Sequence, residues 1–149
     1  MKTISLNKRA RFDYIILETF EAGIVLKGDE VKALRAGLAN LTDSFATIHA
    51  GKPQLLNCYI GNYKYSYSKK EDDPRRSRPL LLHKKEIRKL VGNISRKGLT
   101  LIPIKLYFNN RGFAKVEIGL AKHKKLVDKR KTIQEREANR DTMRTLKHL

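Results

Sequence analysis

The residues of this sequence able to do chemistry are mostly cations. Asn7-Lys8-Arg9-Ala10-Arg11 sets three positive charges and an amide into five positions. Such a cluster can grip phosphate oxygens or serve as a solubilising arm. Near the other end, Lys129, Ile133, Arg136, Arg140, Arg144 and Lys147 follow helical spacing, which puts their charges on one face. Tyr63, Tyr65 and Tyr67 alternate; on an extended segment they share a face, where they either stack on bases or pack. Arg75, Arg76 and Arg78 stand beside Glu71, Asp72 and Asp73, and these charges are expected to hold one another in a solvated loop.

Catalytic patterns are missing. There is no G-x-x-x-x-G-K and no G-x-G-x-x-G. His49, His83, His123 and His148 have no metal-ligand spacing among themselves or with Cys58. Cys58 falls in an expected strand and reads as a buried, inert thiol. As the single cysteine it excludes an internal disulfide. Asp29-Glu30 and Asp72-Asp73 could serve a nuclease metal, but adjacent acids more often cap helices or decorate loops. A binding protein is expected, not an enzyme, with no cofactor and no metal.

Charge says what is bound. Thirty-three Lys and Arg face fifteen Asp and Glu, a net charge of +18 and a pI near 10.2. Such an excess repels itself and attracts polyanions: nucleic acid, an anionic membrane or an acidic protein. A membrane partner fits poorly. The basic C-terminal helix would need a broad apolar face with aromatic anchors, and has only Ile133, Met143, Leu146 and Leu149. No signal-peptide pattern opens the chain, and Ile15-Ile16-Leu17 and Leu80-Leu81-Leu82 are too short to span a bilayer. A cytoplasmic RNA-binding protein is expected.

The elements that must position these residues are short. Residues 1–12 read as a basic arm. Tyr14–Leu17 and Ile24–Leu26, separated by Glu21-Ala22-Gly23, predict a strand pair. Gly28-Asp29-Glu30 opens a short helix with Val31, Leu34 and Leu38 on one face, ending near Gly37. Phe45–Ala50 and Leu55–Ile60 flank a Gly51-Lys52-Pro53 turn. Residues 66–79 read as a polar loop and 84–91 as a second short helix. Leu99–Phe108 and Phe113–Leu120 form a hairpin through Asn109-Asn110-Arg111-Gly112. About six strands and two helices, without a βαβ rhythm, predict a mainly β fold: a closed antiparallel Greek-key barrel of the oligonucleotide-binding (OB) type. A half-open sandwich is the rival.

The chain divides into a body, residues 1–121, and a tail, residues 122–149. Residues 120–149 hold ten basic and four acidic side chains, about twice the net charge density of the rest. Too little apolar surface is available for such a segment to order itself. Arg136, Arg140 and Arg144 repeat at i, i+4, which costs a free helix a few tenths of a kcal/mol per pair. Phosphates along that face reverse the sign, so the tail is expected to be disordered when free and helical on RNA.

A more specific signal is the run Glu21-Ala22-Gly23-Ile24-Val25-Leu26-Lys27-Gly28-Asp29-Glu30-Val31-Lys32-Ala33-Leu34-Arg35. It resembles the signature of the SmpB family, bacterial proteins that bind transfer-messenger RNA (tmRNA, or SsrA). The resemblance extends to Asn7-Lys8-Arg9-Ala10 with Tyr14, to Leu80-Leu81-Leu82-His83-Lys84, to Lys115–Lys122, to Asp128-Lys129-Arg130 and to Ile133-Gln134-Glu135-Arg136. It implies an OB-type barrel, a monomer when free, that binds the tRNA-like domain of tmRNA in place of the missing anticodon arm. The complex would enter stalled ribosomes for trans-translation. The tail would occupy the empty mRNA channel and the small-subunit decoding site. Elongation factor Tu and alanyl-tRNA synthetase would be met only indirectly, through tmRNA.

Carried over by position, the tmRNA-facing residues are Asn7, Lys8, Arg9, Glu21, Arg35, Leu81, His83 and Lys115. The ribosome-facing residues of the tail are Lys122, Lys124, Lys125, Asp128, Lys129, Arg130, Ile133, Arg136, Arg140 and Arg144. Glu21 precedes two small residues that let an RNA backbone approach, and its carboxylate can accept from a base or a 2′-OH. Some members have Asn where His83 stands; His adds stacking and pH dependence. Val127 stands where the family often has His or an aromatic, so apolar contact replaces stacking there. From charge alone, a general basic ribosomal or single-strand RNA-binding protein remains open, and so, more remotely, does an RNA-acting enzyme.

Overall fold

The computed structural model describes residues 1–61, 73–124, 133–138 and 140. The expectations for Tyr63, Tyr65, Tyr67, Lys125, Val127, Asp128, Lys129, Arg130, Arg144 and Lys147 lie outside the described residues. In chain order the elements are β1 (Lys2–Leu6), α1 (Ala10–Asp13), β2 (Tyr14–Ile24), α2 (Gly28–Arg35), β3 (Ala39–Asn40), β4 (Phe45–His49), β5 (Lys52–Leu56), β6 (Tyr59–Ile60), β7 (Arg78–Leu81), α3 (Lys84–Lys97), β8 (Thr100–Phe108) and β9 (Ala114–His123). Residues 133–138 are also helical. No helix among the described residues is long and apolar enough to cross a membrane.

The protein is mainly β, built on one antiparallel seven-stranded sheet in the order β1-β8-β4-β5-β7-β2-β9, with β8 also pairing β9. β3 and β6 form a separate two-stranded ladder. Period-two alternation sends Phe20, Ala22, Leu55, Leu80, Leu106, Val116 and Ile118 into one core. Leu34 of α2 and Leu90 of α3 close it.

Four expectations are corrected. The strand pair in 14–28 is one strand, β2, eleven residues long. Glu21-Ala22-Gly23 makes no turn there but pairs with Glu117, Val116 and Lys115. Ala22 is small because it is fully buried, and Gly23 because Leu81 lies over it: a Cβ on Gly23 would stand 3.2 Å from the Leu81 Cβ. The basic arm is not loose. β1 pairs with β8, the Asn7 amide donates to the Pro103 carbonyl at 2.9 Å, and Ala10 packs against Ile102 and Ala121. The second helix runs on past 91 to Lys97. Gly92 costs about 1 kcal/mol as a helix interior residue but is no stop, since Leu90 and Ile94 at i, i+4 both pack on the core. The left-handed Gly98, φ 61°, is what ends it.

The fourth correction concerns Arg76 and Arg78, which turn inward instead of meeting acids in a solvated loop. Arg78 is fully buried. Its Nε donates to Glu30 at 2.6 Å, and its terminal nitrogens donate to the carbonyls of Cys58 at 2.7 Å and Pro74 at 3.0 Å. Arg76 donates to the same carboxylate, and so does the Lys27 backbone N–H at 2.8 Å. Burial alone would raise the Glu30 pKa. The hydrogen bonds from Arg76, Lys27 and Arg78, with the Arg78 charge, outweigh it and hold the carboxyl below its ordinary 4.5. This clamp ties α2, β6 and the start of β7 together, and so fixes where β7 delivers Leu81. Beside it, Cys58 is a buried thiol whose pKa burial pushes up to about 11, unreactive at neutral pH.

Candidate nucleic-acid interface

The outward-facing positions of four strands carry the polar and basic residues of interest. One cross-strand rung runs Tyr107–Lys115–Gly23–Leu81, from β8 across β9 and β2 to β7. The neighbouring rung runs Lys105–Glu117–Glu21. Glu21 and Gly23 sit two apart on β2, as do Lys115 and Glu117 on β9, so alternation puts all of them on one face. Past the end of β7, His83 starts α3, and its backbone N–H donates to the Glu86 carboxylate at 3.2 Å.

These rungs enclose an open recess of about 320 Å³ lined by Glu21, Gly23, Leu81, Leu82, His83, Glu86 and Lys115. Glu21, Lys115 and the Leu81–His83 segment, drawn from three separate stretches of the sequence, thus line one recess. Leu81 is 62% exposed, an apolar surface beside the Lys115 charge. Gly23, without a side chain, lets the Leu81 side chain settle over β2 at the bottom of the recess. A second recess of about 300 Å³ adjoins, sharing Gly23, Leu81 and Lys115 and adding exposed Phe113. A cation, an acceptor, an apolar platform and a ring on one face can meet phosphate, a donor group and unstacked bases together.

Tyr107 and Lys105 belong to this face and were not singled out from the sequence. Tyr107 is nearly buried and its hydroxyl donates to the Glu21 carboxylate. Burial raises the phenol pKa, and the hydrogen bond to Glu21 and the Glu21 and Glu117 charges raise it further, so it is a neutral donor at physiological pH. Lys105 lies 3.6 Å from Glu117 and 5.0 Å from the Tyr107 ring centroid. The alternation Lys105-Leu106-Tyr107-Phe108 was the available signal: Leu106 and Phe108 are core, so their neighbours face out.

Other candidates lie elsewhere. Asn7, Lys8 and Arg9 stand by the Tyr14 end of β2, and Tyr14 to Glu21 is about 23 Å of strand at roughly 3.3 Å per residue. Asn7 is engaged with Pro103, whereas Lys8 and Arg9 are exposed. Arg35 is exposed on the last turn of α2 and does not line the Glu21 recess. The root of the tail meets the arm. Tyr14 and His123 rings lie 4.4 Å apart, Lys124 donates its N–H to the Asp13 carbonyl at 3.0 Å, and Arg9 and Arg136 both lie over the Phe12 ring, at 5.8 and 5.6 Å. Lys122, Ile133, Arg136 and Arg140 are exposed there.

A family model described as SmpB protein matches residues 4–148. The chain is 55% identical to an SsrA-binding protein of Thermosipho melanesiensis, covering 99% of both chains. It is 51% identical to that of Coprothermobacter proteolyticus, over 97% of this chain and 96% of that one, and 52% identical to that of Caulobacter vibrioides, over 98% and 95%. A solved chain from "tmRNA-SmpB: a journey to the center of the bacterial ribosome" superposes with a TM-score of 0.65 at 57% identity, covering 81% of this chain and 84% of that chain. Matched by the family model over residues 4–148 and by relatives about half identical along nearly its whole length, the chain belongs to the SmpB protein family.

Proposed function

We propose that this protein is an RNA-binding adaptor that holds the tRNA-like domain of tmRNA and brings it to stalled ribosomes for trans-translation, without a catalytic step of its own. The observation that carries the reading is the convergence of Glu21, Leu81, His83 and Lys115 around one recess. The family's relatives, named for SsrA binding, support it. Lys115 meets phosphate, Glu21 accepts from a base or ribose hydroxyl, and Leu81 packs on a sugar or base. Lys8, Arg9 and Arg35 add long-range attraction.

The body, residues 1–121, is in this reading a closed barrel of the OB type. In support, β8, β4, β5, β7, β2 and β9 each pair with two others of the six, and β9 returns to β8. The tail, residues 122–149, carries the ribosome contact in the empty mRNA channel and decoding site. Elongation factor Tu and alanyl-tRNA synthetase are met through tmRNA, in the cytoplasm.

The two parts separate in experiment. Removing residues 123–149 is expected to leave tmRNA binding within about twofold and to abolish tagging on stalled ribosomes in a reconstituted translation system. Lys115→Ala should instead weaken tmRNA capture by roughly tenfold to a hundredfold, as loss of a charged hydrogen bond of about 1.5–3 kcal/mol requires. Equal loss of both activities on truncation would sink the division of labour.

A further inference from the structure

We propose that Tyr107 is a positioning residue for RNA recognition, holding the Glu21 carboxylate so that a single oxygen is offered to one lone donor of the RNA. This rests on the RNA-binding reading of the face and goes beyond it by naming what Glu21 can recognise.

The geometry is specific. Tyr107 belongs to β8 and Glu21 to β2, with β9 between them. The hydroxyl reaches diagonally from the rung of Lys115 to the rung of Glu117 and donates to Oε2 of Glu21. The ring cannot swing away: Tyr107 is 4% exposed, with Lys105 over its face. The hydroxyl therefore has a fixed origin, and the Glu21 side chain, exposed on the surface, is the member of the pair that gains order. Without this anchor a surface glutamate samples several rotamers and loses that freedom on binding, at an affinity cost. With it, the loss has already occurred in the free protein.

The anchor also narrows the ligand. A free carboxylate can accept two parallel hydrogen bonds from a guanine edge or a guanidinium. Here Oε2 already accepts from the phenol, so a second donor approaching that oxygen must share it, while the residue as a whole lines the recess. A carboxylate with one oxygen already engaged suits a single donor at the other, a ribose 2′-OH or one exocyclic amine of an RNA strand lying along this face. The phenol stays a donor throughout the neutral range, so the arrangement does not depend on pH there.

A double-mutant cycle measured as the affinity for a tmRNA transcript tests this, with Tyr107→Phe, Glu21→Ala and the pair. Tyr107→Phe keeps the ring under Lys105 and removes only the hydroxyl. It should weaken binding about fivefold to tenfold alone and have no further effect in the Glu21→Ala background. The slope of affinity against salt should be unchanged in Tyr107→Phe, since no phosphate contact is lost, whereas Lys115→Ala should reduce it by about one. In the free protein the carboxylate carbon resonance of Glu21 should move on Tyr107→Phe, a readout independent of RNA. The same fold-loss in both backgrounds, an unmoved resonance, or unaltered affinity in Tyr107→Phe while Glu21→Ala weakens binding would each overturn the positioning role. Unaltered affinity in both Glu21→Ala and Lys115→Ala would overturn the RNA-binding reading as well.

Discussion

At the residue scale, the most consequential side chain outside the recess is Glu30. It accepts from Arg76, Arg78 and the Lys27 N–H while Arg78 is fully buried. A buried ion pair adds little net stability over a well-packed apolar substitute, but removing one partner strands the other's charge. Glu30→Ala should therefore destabilise the fold by about 3–5 kcal/mol, measured by equilibrium urea unfolding; a change under about 1 kcal/mol would mean that water reaches Arg78. The folded pKa of Glu30 lies below 4.5, so its contribution is fully present above pH 4.5 and is lost as pH falls through the folded value. The wild type should thus lose stability in acid over a range in which Glu30→Ala loses less. Sequence alone had Glu30 as a helix-start acid, which it is: its carboxylate accepts the Lys27 N–H. That two arginines nearly fifty residues away would share it is not a local property. Tyr107 was overlooked for the same reason, since its partner lies two strands away.

At the element scale, β2 matters most. It is long enough to hold the arm and the tail root at its Tyr14 end and the recess at its Gly23 end. Reading Glu21-Ala22-Gly23 as a turn followed from composition, because small residues and Gly commonly mark turns. Here they answer a packing demand, Ala22 under the core and Gly23 under Leu81. Gly23→Ala tests the point. A Cβ there pushes Leu81 by a few tenths of an ångström, while Ala regains the 0.5–1 kcal/mol or so that Gly costs a strand. Stability should change by less than about 1 kcal/mol, with tmRNA affinity falling several-fold; unaltered affinity would show that the position of Leu81 does not matter. The hairpin β8–β9 was legible, because its turn signal is local and Gly112 takes the φ of 80° that such a turn needs.

At the scale of the whole molecule, the +18 charge predicts a steep salt dependence. If several phosphates are neutralised, log affinity for tmRNA should fall against log salt with a slope of several units, about 0.9 per phosphate on a duplex; a flat dependence would contradict a phosphate-dominated surface. By itself the sequence determined the charge, the mainly β character, the β8–β9 hairpin and the family, because these depend on composition, period and local pattern. Only the tertiary structure decided which cations act together. It brought Lys115, Leu81 and His83 to Glu21, set Arg9 beside Arg136 on Phe12, and turned Arg76 and Arg78 from surface charges into a buried clamp. Strand register places residues dozens of positions apart on a common rung, and desolvation compels a buried charge to find its partner wherever the chain supplies one.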